Sequence, residues 1–535
     1  MLTLRNTRGV KGCDTGPASP LLGSSPRAVV QPQEVYEVLR ADEEAVHKGQ
    51  VGISRNSNST MHSHRMDLTV CRIAGVGNLA RTKDNSRRPF LFPIETINRE
   101  IDVRLFLAVM LASTERRIIV GKSDSLHALL PHLHDGIYVG KDIFESRFPT
   151  DISRYLTMKR QGFSLIHLHE EGAVYRGAEP EWRNALNSIL DISVLQSDDV
   201  ACAWGDYQGD HYRQQRPPGG ARVAVTGHPR FDIYKPDLRA YLKEDIERIR
   251  REFGSYILVN TNFSISNHWL GIERTMSSGA AIDRRAAWVH STRVLTSFVS
   301  LVEGMARALP STMIVVRPHP SENLNFYSTM FGGLERVRVL HKGPAAPWIG
   351  GASVVIHDGC TTGIEAYFSD VPVIPFVPVR DDKRDYFLPN ALGHICYSQD
   401  EVLDVVKRIV IEGRFSTGIS HIPSRALALL KNFESSSFDL LIDTIHAAED
   451  RLGTVSKSPS LSDLARVHRR YRSRERGRRA LGMLWNSRRR RYSYYRSKFY
   501  GMGQRDVSER ISRISRILGK NVVVSRLSKD VLVVE

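Results

Sequence analysis

The sequence predicts an α/β protein with two doubly wound parallel sheets in tandem. Three observations lead there. Short apolar runs of strand length alternate with helix-length amphipathic runs from about residue 87 onward, as βαβ units do. The alternation restarts after the turn TGHPRFD, residues 226–232. Several of the apolar runs end in small, polar or charged residues, where the carboxyl ends of parallel strands face a ligand crevice.

The elements follow in order. PFLFPIE reads as a buried strand, Asn98 to Ser113 as an amphipathic helix and RRIIVG as a second strand; after another helix, IYVG and SLIHLHEEG continue the series. Beyond TGHPRFD come a helix from Leu238 to Phe253, the strand YILVNT, a long helix from about Ala286 to Leu309, and the strands MIVVRPHP, RVRVL and ASVVIHDG. A helix from Thr362 to Phe368 and the strand VPVIPF complete it. The expected divisions are a mostly disordered extension at 1–84, a first Rossmann-like domain at 85–230, a second at 231–450, and a basic tail at 451–535. Two such domains face each other across a cleft in the architecture called GT-B.

Composition sets the class. The chain has 535 residues, 41% hydrophobic and 25% charged, which suits a globular protein of two or three domains. The net charge of +17 is concentrated: Arg466 to Tyr500 holds fourteen Lys or Arg and one acid, Glu475, leaving about +4 for everything else. Five scattered cysteines, Cys13, Cys71, Cys202, Cys360 and Cys396, form no CxxC pair and point to a reducing compartment and no structural metal. The opening residues lack a secretory h-region, and the longest apolar run, LFLAVMLA from Leu105, is too short to span a bilayer. Met61 and Met66 are alternative starts within the extension.

Gly75, Gly77 and Ala80 match GxGxxA, with Glu95 about twenty residues on. A dinucleotide fingerprint needs a helix directly after the glycines, and TKDNSRRP offers none, so no cofactor site is expected there.

Three segments carry chemistry. MIVVRPHPSEN delivers Arg317, His319 and Pro320 to a strand end, where a guanidinium and an imidazole fixed between prolines suit a phosphate or a cytosine and ribose edge. A Pro-rich turn with a solvated histidine is the alternative. SVVIHDGCTTGIEAYF has the compact form of a phosphate-binding βαβ unit. The N–H groups of Cys360, Thr361 and Gly363 would point a positive helix end into the cleft. Thr362 with Glu365 three residues later reads as a capping box, which also explains both residues without a ligand. GFSLIHLHEEGAVY ends a first-domain strand in Glu170, Glu171 and Gly172. Repulsion between the neighbouring carboxylates is expected to raise the pKa of one and suit it as a general base, unless the pair is a solvated turn. His167 and His169 on that strand read as core residues, and HLHEE is not a zinc motif.

EEG, HP and a Thr-Thr loop in this order resemble the D/E-D/E-G, HP and Ser-Ser/Thr motifs of bacterial sialyltransferases and polysialyltransferases. Similar features occur in capsule Kdo transferases, and the whole chain looks like the family of surface carbohydrate biosynthesis proteins. The resemblance covers roughly residues 87–430, including PIETINRE. TGHPRFD also resembles the G-x-P-R-x-D stretch of CDP-glycerol glycerophosphotransferases. It implies a metal-independent glycosyltransferase without a cofactor, moving a nonulosonic acid or Kdo from a CMP-linked donor to a surface glycan or glycolipid. Glu171 or Glu170 would deprotonate the acceptor, His319 would touch the donor phosphate, Thr361 and Thr362 would hold the CMP phosphate, and Arg317 would add charge. Glu95 and Arg99 would line the acceptor side. Cys360 and Gly363 flank the threonines where the family has only small hydroxyl residues, and retention or inversion stays open.

The stretch from Arg466 to Tyr500 interleaves arginines with Tyr471, Trp485, Tyr492, Tyr494, Tyr495 and Tyr500. Arginine with aromatics suits an anionic membrane face or nucleic acid, and the membrane is the expected partner. The expected location is the cytoplasm, on the inner face of the plasma membrane, and removing residues 455–535 is expected to spare the cleft. The other readings are a CDP-polyol phosphotransferase, an enzyme like the non-hydrolysing UDP-sugar 2-epimerases, and a non-catalytic scaffold.

Overall fold

The structure, a computed structural model, describes residues 73–74, 87–141, 149–277, 281–341, 343–413, 422–455, 458–482 and 493–535. Gly75, Gly77 and Ala80 lie outside the described residues. Two α/β sheets carry the fold. The first contains β1 (Ile73–Ala74), β2 (Arg88–Ile94), β3 (Arg116–Lys122), β4 (Ile137–Gly140), β5 (Ser164–His167), β6 (Val200–Ala203) and β7 (Arg222–Val225). The second contains β8 (Tyr256–Asn260), β9 (Met313–Arg317), β10 (Val337–Val339), β11 (Val354–His357) and β12 (Val373–Pro375). Two more strands, β13 (Val524–Ser528) and β14 (Val531–Val534), return to the first sheet from the end of the chain.

The sheet orders are β1-β13-β14-β3-β2-β4-β5-β6-β7 and β10-β9-β8-β11-β12. Strands β2 to β7 pair in parallel, as does the whole second sheet. Every residue of β2, β4, β5, β8 and β11 is buried, so these strands read as continuous apolar runs, the signature of a sheet covered on both faces. Strand order reverses between β2 and β4 in the first sheet and between β8 and β11 in the second. At such a reversal adjacent crossovers leave on opposite faces, and the strand ends open a crevice. The result is the expected two-sheet, GT-B-like arrangement.

Three expectations change. Strands β6 and β7 extend the first sheet beyond the four runs read from the sequence. The second domain does not run unbroken to residue 450: Phe438, Leu441, Ile445 and Ala448 of the helix Ser437–Glu449 pack into the first sheet's core with Phe106 and Leu107.

The last 85 residues, expected as a tail, are largely structural. β14 pairs antiparallel with β3, aligning Leu532 with Val120 and Val534 with Ile118. The helix Gln504–Leu518 buries Val507, Ile511 and Ile514 in the same core. Its outer arginines are bound as well: Arg510 pairs with Asp102, and Arg513 with Asp245 at 2.5 Å and Glu244 at 3.1 Å. Apolar periodicity here outweighs the basic composition upstream of it.

The junction TGHPRFD owes its residues to close packing. Gly227 has φ +70°, and a Cβ there would meet Ser437 Oγ at 2.1 Å. Asn432 closes the turn, accepting from the His228 N–H at 2.9 Å and donating to Asp232 at 2.8 Å.

Candidate functional site

Both reversal points face one cleft of about 690 Å³. Residues after β2 (Glu95, Arg99), β4 (Lys141) and β5 (His169, Glu171) wall one side. Opposite stand residues after β9 (Arg317, His319, Pro320) and at the helix start after β11 (Cys360, Thr361, Thr362, Glu365). Of the residues singled out from the sequence, Glu170 and Gly363 alone are absent from the wall.

Glu170 is a buried structural anion. Its carboxylate accepts from Arg104 Nη2 at 3.0 Å, with both side chains 2% exposed or less, and faces His228 Nε2 at 3.3 Å. Burial opposes its charge, but His228, Arg104 and Arg99 outweigh that and hold it well below the usual carboxylate range. Glu171 points the other way, 70% exposed, with Arg99 at 3.7 Å. Its pKa is lowered, with Arg99 leading the cations that favour the charged form.

The expected repulsion between these neighbours therefore does not raise either one, because successive side chains at the strand end diverge and each meets its own guanidinium. The carboxyl raised on this side is Glu100, pushed up by burial and then by Glu170. It accepts from the backbone N–H groups of Glu95 at 2.8 Å and Thr96 at 3.3 Å, fixing the start of the helix Ile97–Leu111.

On the second sheet the HP loop is tied down from beneath. Glu322, which burial pushes up to about 7, accepts from the His319 N–H and the Thr261 hydroxyl, both at 2.8 Å, and from Tyr327. His319 Nδ1 accepts the Ser321 N–H at 3.2 Å and lies 2.6 Å from its hydroxyl. Burial, then Arg99, lowers its pKa to about 4, so the ring is neutral with its proton on Nε2. Arg317 donates to the Gly343 carbonyl at 2.9 Å and lies over the Trp348 ring at 5.2 Å.

The helix after β11 spans Thr361–Phe368 and its N-cap is Cys360, not Thr362. The expected capping box is absent: Glu365 accepts from the Tyr234 hydroxyl at 2.7 Å and faces Arg230 Nε at 3.7 Å instead of reaching back. Burial keeps the Cys360 thiol protonated by pushing it up to about 12. Gly363 packs against His357, where a Cβ would lie 2.3 Å from Nε2. Gly363→Ala is accordingly expected to cost about 1–3 kcal/mol, the range for overpacking a filled core. Thermal unfolding of the variant checks it, and an unchanged midpoint would show that the ring yields freely.

A search of solved structures returns sugar-nucleotide enzymes at low similarity. The UDP-GlcNAc 2-epimerase of Methanocaldococcus jannaschii is 10% identical, with TM-score 0.38, covering 68% of this chain and 99% of that one. The Neisseria meningitidis UDP-GlcNAc 2-epimerase bound to UDP-GlcNAc is 12% identical, with TM-score 0.38, covering 68% and 100%. The wall teichoic acid polymerase TagF soaked with CDPG is 10% identical, with TM-score 0.41, covering 69% and 89%. No family model and no curated protein matches the chain. Similarity at this level carries no argument about what the cleft binds, and the fold rests on the strand orders above.

Several wall residues were not singled out from the sequence. Lys141 directly follows IYVG, and the strand-end rule that selected Glu171 would have found it. Arg230 was visible within TGHPRFD but had no role; it lies 5.3 Å over Trp204 and beside Glu365. Lys498 comes from the supposed tail, about 400 residues from Glu95, together with Tyr494 and Tyr495, which the sequence marks as aromatics of the basic stretch and not as cleft residues. No helix among the described residues is long and apolar enough to cross a membrane, and no group of three His, Cys, Asp or Glu among them is placed to hold a metal.

Proposed function

We propose that the chain transfers a sugar from a cytidine nucleotide donor to a glycan acceptor, with the nucleotide on the second sheet and the acceptor on the first. One observation carries this reading: a neutral imidazole donor, a guanidinium and a helix start converge on one wall of the cleft, while the other, itself rich in cations, presents an exposed, ionised carboxylate. His319 Nε2–H, Arg317 and the N–H groups at the start of the helix Thr361–Phe368 suit a phosphate leaving group. Glu171 suits the acceptor hydroxyl.

In this reading the acceptor oxygen attacks the anomeric carbon and its proton passes to Glu171. The bond from that carbon to the phosphate oxygen breaks, and the electron pair leaves with the nucleotide. A carboxylate held low by Arg99 is a weak base in water, so the acceptor must strengthen it by displacing solvent from its exposed face. A CMP-linked nonulosonic acid or Kdo is the donor the motif order favours. Arg230 favours a second reading, transfer of a polyol phosphate from a CDP-linked donor, since a further guanidinium beside the helix start suits a diphosphate.

A thermal-shift series with CMP, CDP, UDP and GDP tests the assignment. A ligand at one hundred times its Kd stabilises the fold by about 2.7 kcal/mol, and CMP is expected to do so with CDP next. His319→Ala should weaken the CMP response at least tenfold in concentration. Stabilisation by UDP or GDP without CMP or CDP would refute the cytidine donor, and UDP alone would favour the epimerase reading.

A further inference from the structure

The chain from residue 493 to 500, a short helix at 493–498 and the two residues after it, forms a strap along the cleft wall. Its far end is fixed: the Met502 N–H donates to the Lys529 carbonyl at 2.7 Å and Phe499 is buried. Tyr494 packs its ring 5.8 Å from His268 of the second domain, and Lys498 reaches Glu95 of the first at 3.1 Å. The Tyr500 hydroxyl donates to Asn98 at 2.8 Å. The strap thus touches both halves and places Tyr494, Tyr495 and Lys498 on the cleft wall.

Charge on this wall is unbalanced. Glu95 is shared by two ammonium groups, Lys498 at 3.1 Å and Lys141 at 2.9 Å. One carboxylate between two lysines leaves a net positive charge, and of the three donors of Lys498, Glu95 takes one and the Tyr494 hydroxyl another, which leaves one for a ligand. Glu95 stays ionised, since the lysines overcome burial and hold it at about 2, so the pair is pre-set rather than assembled by a ligand. Tyr495, 49% exposed, and Tyr494, with Lys498 5.2 Å from its ring, supply apolar faces beside that charge.

We infer that the strap makes the acceptor side of the cleft a subsite for a sugar unit bearing a negative charge, the tyrosines against its ring and Lys498 on its carboxylate or phosphate. This rests on the acceptor side being the first-sheet wall, as proposed above. The aromatic faces suit a pyranose and the lysine pair suits its anionic substituent. The nucleotide's own anion-binding groups stand on the opposite wall.

The test is isothermal titration of the full chain, with and without CMP, using three tetrasaccharides that differ only in the terminal unit: glucose, glucuronic acid or glucose 6-phosphate. Both charged forms are expected to bind at least tenfold more tightly than the neutral one, and the two arms show whether carboxylate or phosphate is preferred. Lys498→Gln should remove the discrimination, Lys498→Arg should retain most of it, and Tyr495→Ala should weaken all three about equally. CMP affinity should stay within twofold in each variant. Equal binding of neutral and charged forms, or discrimination that survives Lys498→Gln, overturns the subsite. A parallel loss of CMP affinity overturns it too, by placing the strap on the nucleotide side. If CMP fails to bind the wild type while charge discrimination persists, the donor assignment falls and the anionic subsite stands.

Discussion

Ending the chain at residue 500 is expected to leave no cooperatively folded protein. The segment removed carries eleven buried apolar side chains, among them Met502, Ile511, Ile514, Val524 and the whole of β14. At about 1.5 kcal/mol for each, the loss is on the order of 15 kcal/mol, as large as the entire stability of an ordinary domain. It also strips β3 of its partner on one edge, leaving an unpaired apolar edge that invites aggregation. Loss of soluble protein and of a sharp thermal transition would be the readout. A truncated chain that stays soluble and melts cooperatively would show that the end of the chain only decorates the first sheet. The sequence-based expectation, that residues 455–535 could be removed without touching the cleft, fails on these contacts and on Lys498 at Glu95.

The second large effect separates two adjacent residues. Glu170→Gln removes the charge facing Arg104, which is 1% exposed and has nowhere to carry its own charge into water. Breaking a buried pair on one side costs about 3–5 kcal/mol, so this variant should lose much of its stability and with it activity. Glu171→Gln should melt like the wild type and keep donor affinity, yet turn over roughly a hundredfold more slowly, the scale of a general base. Because the pKa of Glu171 is lowered, its carboxylate is charged at every pH above 4.5, and the acid limb of kcat/KM should fall below that value. A limb near 6 or 7 would assign the base elsewhere. Normal turnover in Glu171→Gln would remove it from the reaction.

Glu170 and Glu171 show where sequence reading stops. Both sit at the end of the same apolar run, and the run marks the place without saying which carboxylate faces the cleft. That depends on Arg104, seven residues into a helix of the opening βαβ unit, whose charge is compensated only in three dimensions. The strands of the second sheet were legible because parallel, doubly covered strands must be apolar throughout, and their ends marked Arg317, His319 and the helix start. β6, as VACA, and β7, as RVAV, are four residues each like β4 and β5, but they are built largely of small residues and, in β7, an arginine, and so lack the bulky apolar run that marks IYVG and SLIH. Threonine ordinarily serves as an N-cap, and the sequence therefore points to Thr362. The backbone instead starts the helix one residue early on Cys360, leaving the Thr362 hydroxyl 2.5 Å from its sulfur. At the C-terminus, VVVSRLSKDVLVVE carries a legible hairpin pattern, and fourteen basic residues just upstream drew the reading away from it.

The placement of β14 beside β3 also sets an order of events during synthesis. β2 and β3 emerge from the ribosome about 400 residues before β14, the strand that completes β3. At 5–20 residues per second, β3 waits roughly 20–80 seconds with one edge unpaired. The second sheet needs no such late arrival, since β8 to β12 lie within residues 256–375 and can close while translation continues. The half-molecule that binds nucleotide in the proposed reading is thus ready first, and the segment bearing Tyr494 and Lys498 is fixed at the cleft wall only once the turn between β13 and β14 has been made, since Met502 bonds Lys529 there. A polypeptide stalled before β14 would hold a formed second sheet beside an unfinished first one, and would be a substrate for chaperones rather than a partial enzyme.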